Sequence, residues 1–116
     1  MGLKGTATRL TIFIGEVDKV HGAPLFEAIV RSAREAGLAG ATVMRGVESY
    51  GTSTRIHSAK VLRLSENLPL VIELVDTPGK IESFMDELDR LMDQAGGGGL
   101  VTVEPVEVIR YHPKRG

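Results

Sequence analysis

Two stretches of this chain carry apolar side chains on both alternating faces of an extended backbone, and they limit the folds open to it. TRLTIFIGEV, Thr8 to Val17, places Leu10, Ile12 and Ile14 on one face and Thr11, Phe13 and Val17 on the other. LPLVIELVD, Leu68 to Asp76, is the clearest strand in the chain, with β-branched residues on both faces. Such strands belong in the interior of a sheet that is covered on each side. Only two segments are available as helical cover. Pro24 starts the first, where Leu25, Phe26, Ile29, Val30, Ala33 and Ala36 form one stripe and Gly37 is the stop. Thr77 as cap and Pro78 as first residue start the second, in which Ile81, Phe84, Met85, Leu88, Leu91 and Met92 recur at helical spacing; the methionines read as core and not as metal ligands.

With ATVMRGV and LVTVEPVEVIRY as further strands, the order is strand, helix, strand, strand, helix, strand. This is the α+β, split βαβ arrangement of ferredoxin-like domains, βαββαβ. In the last strand Val101 and Val103 share one parity and Val106 and Val108 the other, which predicts a bulge or a new strand segment at Pro105. Two helices cover one face of the sheet. Phe13, Val71 and Val75 then leave apolar surface on the other, and self-association into a closed ring is the simple remedy.

The 116 residues suit a single domain, 1–116 with its core at about 8–111. Apolar residues at 42% and charged residues at 25% mark a globular chain. A formal charge of −1 supplies no net positive field for nucleic acid, so any anion site is local. The absence of Cys removes disulfides, thiolate nucleophiles and zinc-thiolate sites. No apolar run approaches the roughly 18 residues of a membrane span, and the first ten residues lack the apolar core of a secretory signal, so no membrane insertion and a cytoplasmic location are expected.

Residues 49–67 join two strands that a short turn could connect, and excess length of that kind points to function. Gly46 and Gly51 flank VESY, Tyr50 adds a flat ring with a hydroxyl, and Arg45, Arg55, Lys60 and Arg63 offer charge-assisted contacts to phosphate or carboxylate. Gly96, Gly97, Gly98 and Gly99 break the second helix, and consecutive amides there can form an anion-binding nest, although GxxxxGK[ST] is not matched. These residues suit a small, nucleotide-like anion. The structural alternative is a solvated hairpin and a loose linker. The small polar residues of Thr52 to Lys60 predict a mobile segment that orders on docking, with Arg55 and His57 presented to a protein partner.

Catalysis finds less support. His21, His57 and His112 lie in separate segments with no metal-ligand spacing, and His57 beside Ser58 does not make a triad. Glu16 and Asp18 could act as paired carboxylates but fit a strand end and turn better; Asp76 can cap the second helix, and Asp86, Glu87 and Asp89 lie on its solvent face. No catalytic residue, metal ligand or cofactor is assigned. The alternatives are a small enzyme using Glu16, Asp18 or His57, or a purely structural trimer.

IFIGEVD, GAPLFEAIVRSAREAGLAGATVMRG, YG, IHSAKVLRLSENLPLVIELVD, KIESF and LVTVEPVEVI, spread over about residues 8–111, resemble the DUF190 family of uncharacterised PII-like proteins. The resemblance implies a ferredoxin-like homotrimer with its sheets facing the centre and adenine nucleotides in clefts between subunits. It further implies a loop after the second strand that reaches a target such as a transporter or an enzyme. Arg45, Gly46, Tyr50 and Gly51 look like the start of that loop, and Gly96 to Gly99 resemble in position the turn that cups phosphates. The chain has Ser49 where the family commonly has Gly, and its glycine turn carries no basic residue.

Overall fold

The computed structural model describes residues 3–46, 48–49, 57–58 and 68–114, with side chains for 3–46 and 68–114. Its strands are β1 (Gly5–Gly15), β2 (Lys19–Val20), β3 (Ala23–Pro24), β4 (Thr42–Arg45), β5 (Glu48–Ser49), β6 (His57–Ser58), β7 (Pro69–Asp76) and β8 (Leu100–Val108). Helix α1 spans Leu25–Glu35 and α2 spans Pro78–Gln94. The main sheet runs β4-β7-β1-β8, with every neighbour antiparallel. This order, with one helix after β1 and the other after β7, is the ferredoxin-like, PII-like sandwich.

Alternation along β1 and β7 sorts the side chains by face. Leu10, Ile12 and Ile14 with Leu70, Ile72 and Leu74 point to the helices and join Ile29, Phe84 and Leu88 in one buried core. Ser32 Oγ donates to Glu87 between the helices at 3.3 Å. Arg90, hydrogen-bonded to Glu87, holds that carboxyl below its ordinary value. Both helices end in a Schellman motif: Leu38 N–H bonds Ala33 O and Gly37 N–H bonds Arg34 O after α1, and Gly97 and Gly96 repeat the pattern on Met92 O and Asp93 O after α2.

β1 starts earlier than Thr8 and stops at Gly15, short of Val17, because Asp18 folds back to accept the Gly15 N–H at 2.9 Å. Pro24 is the cap of α1 and not its first residue, since it still pairs with Lys19 in a hairpin closed by His21 and Gly22, both at positive φ. No bulge or break occurs at Pro105: β8 keeps one register along β1 from Gly5↔Val108 to Phe13↔Leu100. An edge strand can lose an amide donor without disturbing a ladder. The change of parity is a change of face, with Val101 and Val103 opposite Ile12 and Leu10, and Val106 opposite Ala7.

The face away from the helices is only partly open. Tyr111 beyond β8 donates its hydroxyl to Ala39 O, before β4, at 2.9 Å, and Leu3 N–H bonds Tyr111 O. With Glu73 and Val75, both on this face, Tyr111 lines one cavity, so the segment straps one end of the face. At the other end, Met44, Val71, Phe13 and Leu100 form an apolar row across all four strands, with Met44 45% and Leu100 50% exposed.

Asp76 is the one buried charged residue among the described residues, and it ties the strap's anchor to the sheet. Its carboxylate accepts the Ala39 and Thr77 N–H groups, each at 2.7 Å. Asp76→Ala strands both donors and is expected to cost about 2 to 4 kcal/mol of unfolding free energy in urea denaturation; a loss under about 0.5 kcal/mol, the range of an ordinary surface change, would contradict this role.

Candidate functional site

Antiparallel pairing brings three chain segments to the end of the sheet that carries the apolar row. There β1 runs into the Gly15–Asp18 turn, β4 runs into residues 47–67, and the glycine turn leads into β8. Arg45 and Gly46 lie here on the β4 edge. The Gly46 N–H bonds Pro69 O at 2.8 Å, and a methyl group on Gly46 would sit 2.8 Å from Pro69 Cγ, so only glycine allows this approach. Arg45 Nη2 is ion-paired with Glu16 Oε2, a contact that reaches from the turn after β1 across β7. Glu16 N–H also bonds Leu68 O at 2.7 Å, so one residue touches both chain segments that border 47–67.

The glycine turn lies at the same end on the β8 edge. Its first two amides are committed to the α2 cap, on Asp93 O and Met92 O, which leaves Gly98 and Gly99 outside that cap. A helix C-terminus carries partial negative charge, so these amides work against the helix dipole in holding an anion. Gly99 has φ +117, and a methyl there would lie 2.6 Å from Met92 Cε and 2.9 Å from Phe13 O. Gly96 and Gly97 also have positive φ, but a methyl would meet nothing within 4 Å.

Within one chain, therefore, Arg45 with Gly46 and Gly96 to Gly99 share an end of the sheet but occupy opposite edges. Three strand spacings separate them, about 14 Å. Tyr50, Gly51, Arg55, Lys60 and Arg63 lie outside the described residues, as does most of Thr52 to Lys60. His57 is described in its backbone only, where Ser49↔His57 and Glu48↔Ser58 pair β5 with β6 apart from the main sheet.

The candidate carboxylates are engaged structurally, Asp18 in its turn and Glu16 with Arg45. His21 pairs with Gln94, and His112 is exposed. The cavity beneath the Tyr111 strap, about 330 Å³, lies at the far end of the sheet; its lining includes the Glu73 carboxylate, which lies 4.0 Å from Arg9 Nε. Sequence reasoning missed the Glu16–Arg45 pair because its members are 29 residues apart with no local spacing to mark them.

The profile of DUF190, described as "Uncharacterized ACR, COG1993", matches residues 7–108. The chain belongs to this family. A UPF0166 protein of Aquifex aeolicus is 37% identical over 100 residues, covering 86% of this chain and 90% of that protein. A UPF0166 protein of Methanocaldococcus jannaschii is 32% identical over 101 residues, with 87% and 90% covered. Among solved structures, CPII of Thiomonas intermedia, a nitrogen regulatory PII-like protein bound to ADP, AMP and bicarbonate, superposes with a TM-score of 0.67 at 14% identity, over 89% of this chain and 88% of CPII. That likeness concerns the fold. No helix among the described residues of this DUF190 protein is long and apolar enough to cross a membrane.

The two kinds of glycine make a direct comparison. Gly99→Ala, with backbone strain and two collisions, is expected to lower stability by about 2 to 4 kcal/mol, and Gly97→Ala, with strain alone, by about 1 kcal/mol. Thermal melts of the two variants check this ranking, and equal losses would contradict it.

Proposed function

We propose that this chain is a PII-like regulatory protein that forms a homotrimer, binds a small anionic ligand between subunits and signals to a protein target through residues 49–67. The observation that carries the reading is the placement of Arg45 with Gly46 and of the glycine turn on opposite edges at one end of the sheet. In a head-to-tail ring, the β4 edge of one subunit faces the β8 edge of the next, and every interface brings both halves together. The apolar row from Met44 to Leu100 also reaches both edges, so the same closure removes it from water.

The ligand's class follows from the donors. A guanidinium and paired glycine amides both suit phosphate or carboxylate oxygens. Adenine nucleotides are the first candidates, supported by the ADP and AMP held by CPII on the same fold. Ligand bound at the strand ends that border 49–67 is placed to bias the shapes that segment presents to a target such as a transporter or an enzyme.

Light scattering at micromolar concentration should give three times the 12.5 kDa chain mass. Calorimetry with AMP, ADP, ATP and cyclic dinucleotides should find a binder, and Gly98→Asp, which sets a carboxylate among the turn's amides, should weaken it at least about tenfold. A monomeric mass, or affinity unchanged in Gly98→Asp, would overturn the reading.

A further inference from the structure

Arg45 already holds an anion, and that anion belongs to the protein. Glu16 meets it from the turn after β1, and the backbone beneath Glu16 is tied on several sides. Glu16 N–H bonds Leu68 O at 2.7 Å, Asp18 N–H bonds Gly15 O at 3.2 Å, the Asp18 side chain holds Gly15 N–H, and Asp18 O accepts Leu25 N–H at 2.8 Å. The carboxylate is thus presented from a fixed platform. Arg45 ends a four-residue edge strand and is 60% exposed against 28% for Glu16, so the guanidinium is the member that solvent, and a solute in it, can reach.

From this geometry we infer that Glu16 is the resident counter-ion of Arg45 and sets which anions Arg45 accepts. The inference rests on the reading of Arg45 as a ligand contact. A ligand monocarboxylate offers the guanidinium nothing that Glu16 does not, and Glu16 competes at the high effective concentration of a tethered group. A terminal phosphate carries up to two charges and three acceptor oxygens, and so displaces Glu16 where acetate does not. The ligand class selected is therefore a phosphate monoester or diphosphate. Displacement has a structural consequence: it breaks the side-chain tie between the β1 turn and β4, while the Glu16 backbone stays bonded to Leu68.

Calorimetry with ADP on the wild type, Glu16→Gln, Arg45→Gln and the double variant tests this, together with amide exchange at Gly46 in nucleotide-free protein. Removing the internal competitor should tighten ADP about fivefold, the scale of a partly exposed ion pair, and the gain should vanish in the Arg45→Gln background. The Gly46 amide should exchange faster in Glu16→Gln than in the wild type. A gain of equal size without Arg45 would make Glu16 a general repulsive charge, and no gain at all would remove it from ligand selection; either overturns the inference while leaving nucleotide binding in place. If neither the wild type nor Glu16→Gln binds ADP, the ligand reading itself fails, and faster exchange would then assign the pair a purely structural role.

Discussion

The double pairing of β1 is the constraint on which the rest depends. It is hydrogen-bonded to β7 along one side and to β8 along the other, in registers that leave no room for slippage because a one-residue shift would turn Leu10, Ile12 and Ile14 out of the core. With β1 in the middle, β4 and β8 become the two edges, and the segments leading out of β4 and into β8 must lie at the same end of the sheet. The positions of Arg45, Gly46 and the four glycines follow from this pairing and not from any attraction between them.

Much of that framework was legible because its signals are local. The helix stripes, apart from Ala36, which caps α1 and is exposed, the Thr77–Pro78 start of α2 and the Gly37 stop of α1 need only neighbours in sequence, and the structure has them. Pro24 was one residue out because a two-residue hairpin turned by His21 and Gly22 claims it first. The parity change in β8 was visible, but its cause was not. A break and a change of covered face give the same pattern, and only the pairing with Ala7, Leu10 and Ile12 distinguishes them.

The candidate site is legible in the sequence as a set of residue types and not as an arrangement. Glycines and arginines reveal what chemistry a chain can offer, whereas the edge each occupies is a property of the sheet. Contacts across long sequence separations, such as Glu16 with Arg45 and Tyr111 with Ala39, left no periodic trace. They change the reading in definite ways. The strap covers part of the face expected to be free, the α2 cap uses two of the four turn amides, and Arg45 has an internal partner.

In the proposed function a second copy of the chain completes the ligand site. Mixing two variants checks this: Arg45→Glu, directed at the β4 edge, and Gly98→Asp, directed at the β8 edge, are unfolded together, refolded together and titrated with ADP. In a mixed ring, an interface that joins the intact edge of each variant has both halves of the proposed site, so binding at near wild-type affinity should return at a fraction of the sites although each variant alone binds far more weakly. If the mixture of co-assembled subunits binds no better than the variants do separately, the site lies within one chain and the account is wrong.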